Sequence, residues 1–147
     1  MYSSILLFHL LGAAIWTGGH LILATLVLPK ALRERSVTEL MRFESAYEKI
    51  GIPALIIQIA TGVWLARMRT PDLETLFDLA DPNSRLVLLK LGLLALTAAF
   101  AVDARFRIIP NLTPEKLTAL AFHVVPVTVI SVLFVAVGVA FRSGGWA

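Results

Sequence analysis

The chain has 147 residues, 58% of them hydrophobic and only 16% charged, with a mean hydropathy of +0.83. A soluble domain of this size cannot hide so much apolar surface, so composition excludes a water-soluble globule and predicts an integral membrane protein. The absence of cysteine further excludes disulfides, thiolate metal ligands and cysteine-held iron–sulfur clusters.

At about 20 residues per crossing of a roughly 30 Å hydrocarbon core, four runs are long enough to span: 2–28, 47–66, 86–109 and 117–141. The expected fold is an all-α, up-down-up-down, integral membrane four-helix bundle in one domain, with both termini on one side. The first run lacks a basic leader and an evident small-residue cleavage site, so it reads as a retained helix rather than a secretory signal. Residues 36–49 carry Leu40, Phe43 and Tyr47 among charges and read as an amphipathic lead into the second span at the membrane interface. Residues 70–85 hold Asp72, Glu74, Asp78 and Asp81 and read as a solvated loop or short surface helix between the second and third spans. Thr113, Pro114 and Glu115 form a helix start, with an N-cap, a proline at the first helical position and an acid in the first turn. Pro53 and Pro126 lie within spans and should bend them.

The basic residues orient the bundle. Lys30, Arg33, Arg35, Arg42, Lys49, Arg105, Arg107 and Lys116 lie at one end, against Arg67, Arg69, Arg85 and Arg142 at the other. This bias predicts a multi-pass protein of a bacterial-type inner membrane, with the first set cytoplasmic and both termini periplasmic. It also accounts for the sequence pI of about 9.7 without nucleic acid as a partner.

The three histidines, His9, His20 and His123, all fall inside spans. An ionisable side chain in hydrocarbon is costly, which makes it a functional candidate, and imidazole is a common ligand for haem iron and copper. On a helical wheel, His9 and His20 differ by three turns plus about 20°, so they share a face and lie about 16 Å apart along the axis. Ala13 and Trp16 complete that stripe. Gly12 and Gly19 flank it and would let a neighbouring helix or a flat macrocycle approach the backbone. Trp16 is mid-span, where it should pack against a ligand or a helix.

Depth pairs these residues. His20 and His123 lie at similar distances from the cytoplasmic end of their helices. His9, near the other end, lies at the level of Lys90 early in the third span. Two sites are expected rather than one cluster. His20 and His123 could sandwich a b-type haem as axial ligands, with His9 and Lys90 forming a second site or a redox entry point. Copper is the competing occupant of the histidines, although Met1, Met41 and Met68 are the only thioethers and all lie near chain ends or interfaces. A third reading gives the histidines a bracing role, at roughly 0.6 to 2 kcal/mol per interhelical hydrogen bond. Asp103 beside Arg105 and Arg107 reads as an interfacial ion pair, and Glu44 with Glu48 as a solvated face.

The segment from His9 to Gly19, with its Trp16-Thr17-Gly18-Gly19 end, resembles the opening helix of the copper resistance protein D family. Residues 47–54, 103–107 and 121–123 resemble other parts of small members of that family. The resemblance implies a copper-binding or copper-transporting membrane protein. More distantly, His9 in helix one with Lys90 early in helix three is similar to the layout of the four-helix bacterial protoporphyrinogen oxidases, which implies porphyrin or haem b binding. Haem b electron transfer, with a candidate membrane oxidoreductase activity and no assigned catalytic residue, is the leading expectation, and copper handling the alternative. The expected partners are membrane lipid, a redox partner or a metal chaperone, and a second copy of the chain.

Overall fold

The computed structural model describes residues 1–143, and they are helical with short connections. Helix α1 covers Tyr2–Glu34, α2 Thr38–Arg67, α3 Leu73–Phe77, α4 Pro82–Asn111 and α5 Pro114–Ser143. All but α3 are long and apolar enough to cross a membrane, and helices of this kind satisfy every backbone polar group without water. The molecule is an all-α membrane bundle.

Three spans run further than their apolar stretches. The first continues to Glu34, the second begins at Thr38 and the third ends at Asn111. The amphipathic lead before the second span is thus uninterrupted helix. Charged residues such as Arg42 and Glu44 sustain helical hydrogen bonding once the chain leaves hydrocarbon, so hydropathy marks the membrane core and not the helix ends.

Helix α1 turns into α2 at Arg35, which takes the left-handed conformation at φ 49° and ψ 39°. The next amide, Ser36, donates to the carbonyl of Ala31 at 3.1 Å, closing the helix end in the manner glycine usually provides. At the opposite end, Asp72 caps α3 by accepting from the Thr75 amide at 2.7 Å. Asp81 caps α4 by accepting from the amide and hydroxyl of Ser84 at 3.0 and 2.9 Å. The buried Ser84 hydroxyl also lies 2.6 Å from the carbonyl of Thr75, which ties the short helix onto the start of α4. The hydrogen bond from Ser84 is the main reason the Asp81 carboxyl titrates below its usual range, and the bonds from Thr75 do the same for Asp72.

Two π-helical turns interrupt the spans, at Leu23–Val27 in α1 and Ala104–Ile108 in α4. Each ends two residues before a proline, Pro29 or Pro110. A proline ring collides with the carbonyl four residues back and offers no N–H. The wider turn moves that carbonyl aside, and Leu28 and Ile109 bond five residues back, to Leu23 and Ala104. Pro53 and Pro126 lie inside helices that remain continuous around them.

Helix α1 packs along α2 on one side and α5 on the other, and α5 packs on α4. The α1–α2 approach is close because Gly12 has no side chain: a Cβ there would lie 2.9 Å from the carbonyl oxygen of Ala54. The larger buried cluster, with Leu28, Leu40, Leu117 and Leu120, lies at the end that carries the α1–α2 and α4–α5 turns, here termed the basic end. Elsewhere large apolar side chains such as Leu26, Ile56, Phe106 and Phe122 point outward, as expected of a surface solvated by lipid.

Candidate functional site

At the basic end, the bundle forms a partly open cavity of about 300 Å³ whose walls include His20 from α1, His123 from α5, Met41, Glu44 and Tyr47 from α2, and Arg105 from α4.

His20 is held by its own helix. Its Nδ1 lies 2.9 Å from the carbonyl oxygen of Trp16, one turn back. A carbonyl only accepts, so in the neutral ring Nδ1 carries the hydrogen and Nε2 keeps its lone pair, the form that ligates metals. The same Trp16 carbonyl accepts from the Tyr47 hydroxyl at 3.1 Å, and that hydroxyl also lies 3.2 Å from the Ile15 carbonyl. The Trp16 ring tilts over the imidazole at a centroid distance of 4.3 Å, and Tyr47 meets it edge-on at 5.9 Å. Tyr47 fits there because Gly19 and Gly51 leave a slot for its ring, which a Cβ at Gly19 would overlap. From α5, the Thr128 hydroxyl lies 3.2 Å from the backbone carbonyl of His20.

His123 is engaged at both nitrogens. Nδ1 faces the Ala119 carbonyl at 2.9 Å, and Nε2 lies 2.6 Å from Oδ2 of Asp103 on α4. The same carboxylate oxygen accepts from Arg107 at 2.8 Å. Phe100 packs edge-on against the ring at 5.8 Å. Arg105, two residues beyond Asp103, reaches across to α2 and pairs with Glu48 at 3.0 Å and Glu44 at 3.5 Å. Asp103 therefore bonds Arg107 and His123 rather than Arg105, and Glu44 and Glu48 form an interhelical bridge rather than a solvated face.

His9 lies elsewhere. Its Nδ1 is 3.0 Å from the Thr61 hydroxyl and 3.0 Å from the Gln58 carbonyl. The Thr61 hydrogen is directed to the Ile57 carbonyl at 2.6 Å, which leaves the hydroxyl oxygen to accept from the imidazole. Gly62 supplies the room, since a Cβ there would come within 3.1 Å of the ring. Gln58 Oε1 nearby is buried without a hydrogen-bond partner. Lys90 lies within electrostatic reach of His9 and sets its ammonium 5.1 Å from the centroid of Phe141. Among the described residues no carboxylate pairs with it.

The structure thus gathers His20, His123 and Trp16 around one cavity and leaves His9 and Lys90 at the other end. The close approach permitted by Gly12 and Gly19 is made by α2, through Ala54 and Gln58 at one and Tyr47 at the other. A haem between His20 and His123 would need both Nε2 lone pairs and a flat opening between them. His123 presents its Nε2 to Asp103, so as arranged the pair offers one free imidazole lone pair, that of His20, to a haem iron and to a bare metal ion alike. Among the described residues no three histidine or carboxylate side chains converge closely enough to hold a metal ion.

Sequence reasoning did not anticipate Tyr47, Asp103 or Met41 in these roles. Asp103 and Tyr47 are far from their partners in the chain. Met41, which precedes the apolar part of the second span, lines the cavity because α2 extends back to Thr38. The π-turns beside the cavity did have a signal, in Pro29 and Pro110.

A family model described as Copper resistance protein D matches residues 41–141. That segment contains α4, α5 and nearly all of α2, with Tyr47, Lys90, Asp103 and His123, whereas His9, Trp16 and His20 precede it. No curated protein and no solved structure matches the chain.

Proposed function

Because the chain belongs to the copper resistance protein D family, we propose that this multi-pass membrane protein binds a copper ion as cargo in the basic-end cavity. The observation that carries the reading is that His20 and His123, from helices α1 and α5, line one cavity, with His20 Nε2 uncommitted. Imidazole binds copper well.

The residues divide the work. Trp16 and Tyr47 fix the ring of His20 through one shared carbonyl, so Nε2 is aimed before the ion arrives. His123 joins when its Nε2 hydrogen, donated to Asp103, leaves to water as the ion binds and the freed lone pair turns to the metal, and Arg107 remains as the counter-charge of that carboxylate. Glu44 and Glu48 place negative charge at the mouth, where it attracts a cation, and Arg105 neutralises it until the ion competes. The excess of basic residues at this end favours the cytoplasmic side of an inner membrane, where a metal chaperone could deliver or collect the ion. The other end suits a bare cation poorly, because Lys90 holds positive charge beside His9.

Purified protein in detergent should bind about one copper ion, and His20→Ala should lose it while keeping its helical circular dichroism. Copper-free protein at saturating metal, or an unchanged affinity in His20→Ala, would overturn the reading. An absorption spectrum with a Soret band on purification would restore the haem alternative.

A further inference from the structure

The four spans stand in the order α2, α1, α5, α4: α1 packs on α2 and on α5, and α5 packs on α4, but α2 and α4 make no extended contact with each other. A closed four-helix bundle has its fourth interface on that side. Here the side is taken up by the basic-end cavity, to which α2 contributes Gly51, Ile52 and Leu55 and α4 contributes Phe100, Ala101 and Ala104. All six residues belong to apolar runs, and Ile52 and Ala101 are exposed. In a membrane the cleft between α2 and α4 therefore opens onto hydrocarbon. Towards the interface, Arg105 of α4 crosses it to Glu48 and Glu44 of α2.

The wall holds one polar atom in want of a partner. His20 Nδ1 carries the hydrogen that the Trp16 carbonyl accepts, so Nε2 is an acceptor, at a depth where no bulk water supplies a donor. His123 does not supply one, because both of its nitrogens are engaged. An acyl chain entering from the bilayer would fill the cleft and leave that lone pair bare, which is costly away from water. A hydroxyl on an apolar body does both. Trp16 and Phe100 line the cavity from α1 and α4, and aromatic walls favour a flat ring as that body. A mostly apolar recess with a single placed polar group is the usual form of a small-molecule site.

We propose that the basic-end cavity binds a lipid-soluble phenol, which enters from the bilayer between α2 and α4 and donates its hydroxyl hydrogen to His20 Nε2. The ring lies between the helices that do not pack, and its apolar substituent extends through the cleft into lipid. No ion takes part. Phenol and copper exclude each other at this site because both use the same lone pair.

Copper-stripped protein in lipid nanodiscs is dialysed against para-hexylphenol and against its methyl ether, para-hexylanisole, with protein-free nanodiscs correcting for partition into lipid. The phenol should bind saturably, and roughly two- to tenfold more tightly than the ether, the range of one neutral hydrogen bond. His20→Ala should bind both alike, and His20→Gln, which restores an acceptor, should recover the preference. Ala101→Phe, which fills the cleft, should weaken phenol and ether together. Non-saturable uptake, equal affinities for phenol and ether in wild type, or a preference that survives in His20→Ala overturns the proposal. The first two outcomes are read on wild type alone, so they decide even if a variant fails to fold. Copper bound by a chain that takes no phenol would leave the copper reading standing alone, and phenol bound by a chain that takes no copper would remove only the copper reading.

Discussion

Replacing Gly19 with alanine tests the packing that aims His20. The added methyl would overlap Cε2 and Cζ of Tyr47 and lie 2.6 Å from its hydroxyl oxygen. The ring cannot simply retreat, because on its other edge it already lies against Gly51, where a Cβ would be 2.8 Å from Cε1. Overpacking a fitted site costs about 1 to 3 kcal/mol. Displacing the ring also breaks its bonds to the Ile15 and Trp16 carbonyls, about 1 kcal/mol, and its edge contact with His20, about 0.5 to 1.5 kcal/mol. Against this, alanine gains up to about 1 kcal/mol of helix propensity over glycine. The net expectation for Gly19→Ala is a loss of about 1.5 to 4.5 kcal/mol, read from reversible unfolding in mixed micelles. In a Tyr47→Ala background the same substitution should be neutral or slightly stabilising, a coupling of at least about 1.5 kcal/mol for residues in direct contact. Gly18→Ala is the control: nothing lies within 4 Å of a Cβ there, so it should match wild type to within about 1 kcal/mol. The reasoning is refuted if Gly19→Ala is as stable as wild type, or if its cost persists when Tyr47 is already alanine.

Three further outcomes are expected. Asp103→Ala should tighten copper binding in the titration described above, because His123 Nε2 loses the carboxylate 2.6 Å away that competes for it; weaker binding would instead make the carboxylate part of the site. Arg35→Gly should raise the unfolding midpoint by relieving about 1 kcal/mol of left-handed strain at φ 49°, and a lowered midpoint would show that the Arg35 side chain matters more than its backbone. The cap of α4 should be acid-labile: the Asp81 carboxyl titrates lower in the folded chain than in the unfolded one, so its contribution is present above the ordinary carboxylate range and is lost as pH falls through the lowered folded value. Hydrogen exchange at the amides of Asn83 and Ser84 should accelerate over that acidic window in wild type, and already be fast at neutral pH in Asp81→Ala. Protection that is independent of pH would count against the cap.

Much of the architecture was legible because its cause is local. A run such as Leu117 to Phe141 is apolar all round, and in hydrocarbon only a helix satisfies its backbone. Thr113 with Pro114, and Asp81 with Pro82, announce helix starts through chemistry confined to one turn. The level of His20 relative to His123 followed from counting residues along two helices. The role of small residues at Gly12 and Gly19 was half legible: the glycines mark a close approach, but composition does not say whether a helix or a ligand makes it.

What remained hidden depends on which helices become neighbours and how far each rotates about its axis. Tyr47 reaches His20 only because α2 lies along α1, and Arg105 finds Glu44 and Glu48 only because α4 turns that edge towards α2. Helix periodicity sets which residues share a stripe, yet a uniformly apolar helix carries almost no signal for the direction its stripe faces, since lipid and core are equally hospitable to leucine and valine. By itself, the sequence determined four membrane helices, their ends to within about a turn or two at the caps, and the presence of imidazoles at two depths. Only the tertiary structure decided that His123 is held by Asp103, that Tyr47 packs against His20, and that Met41 lines their cavity, because each of those facts depends on neighbouring helices whose rotation is set by packing rather than by hydropathy.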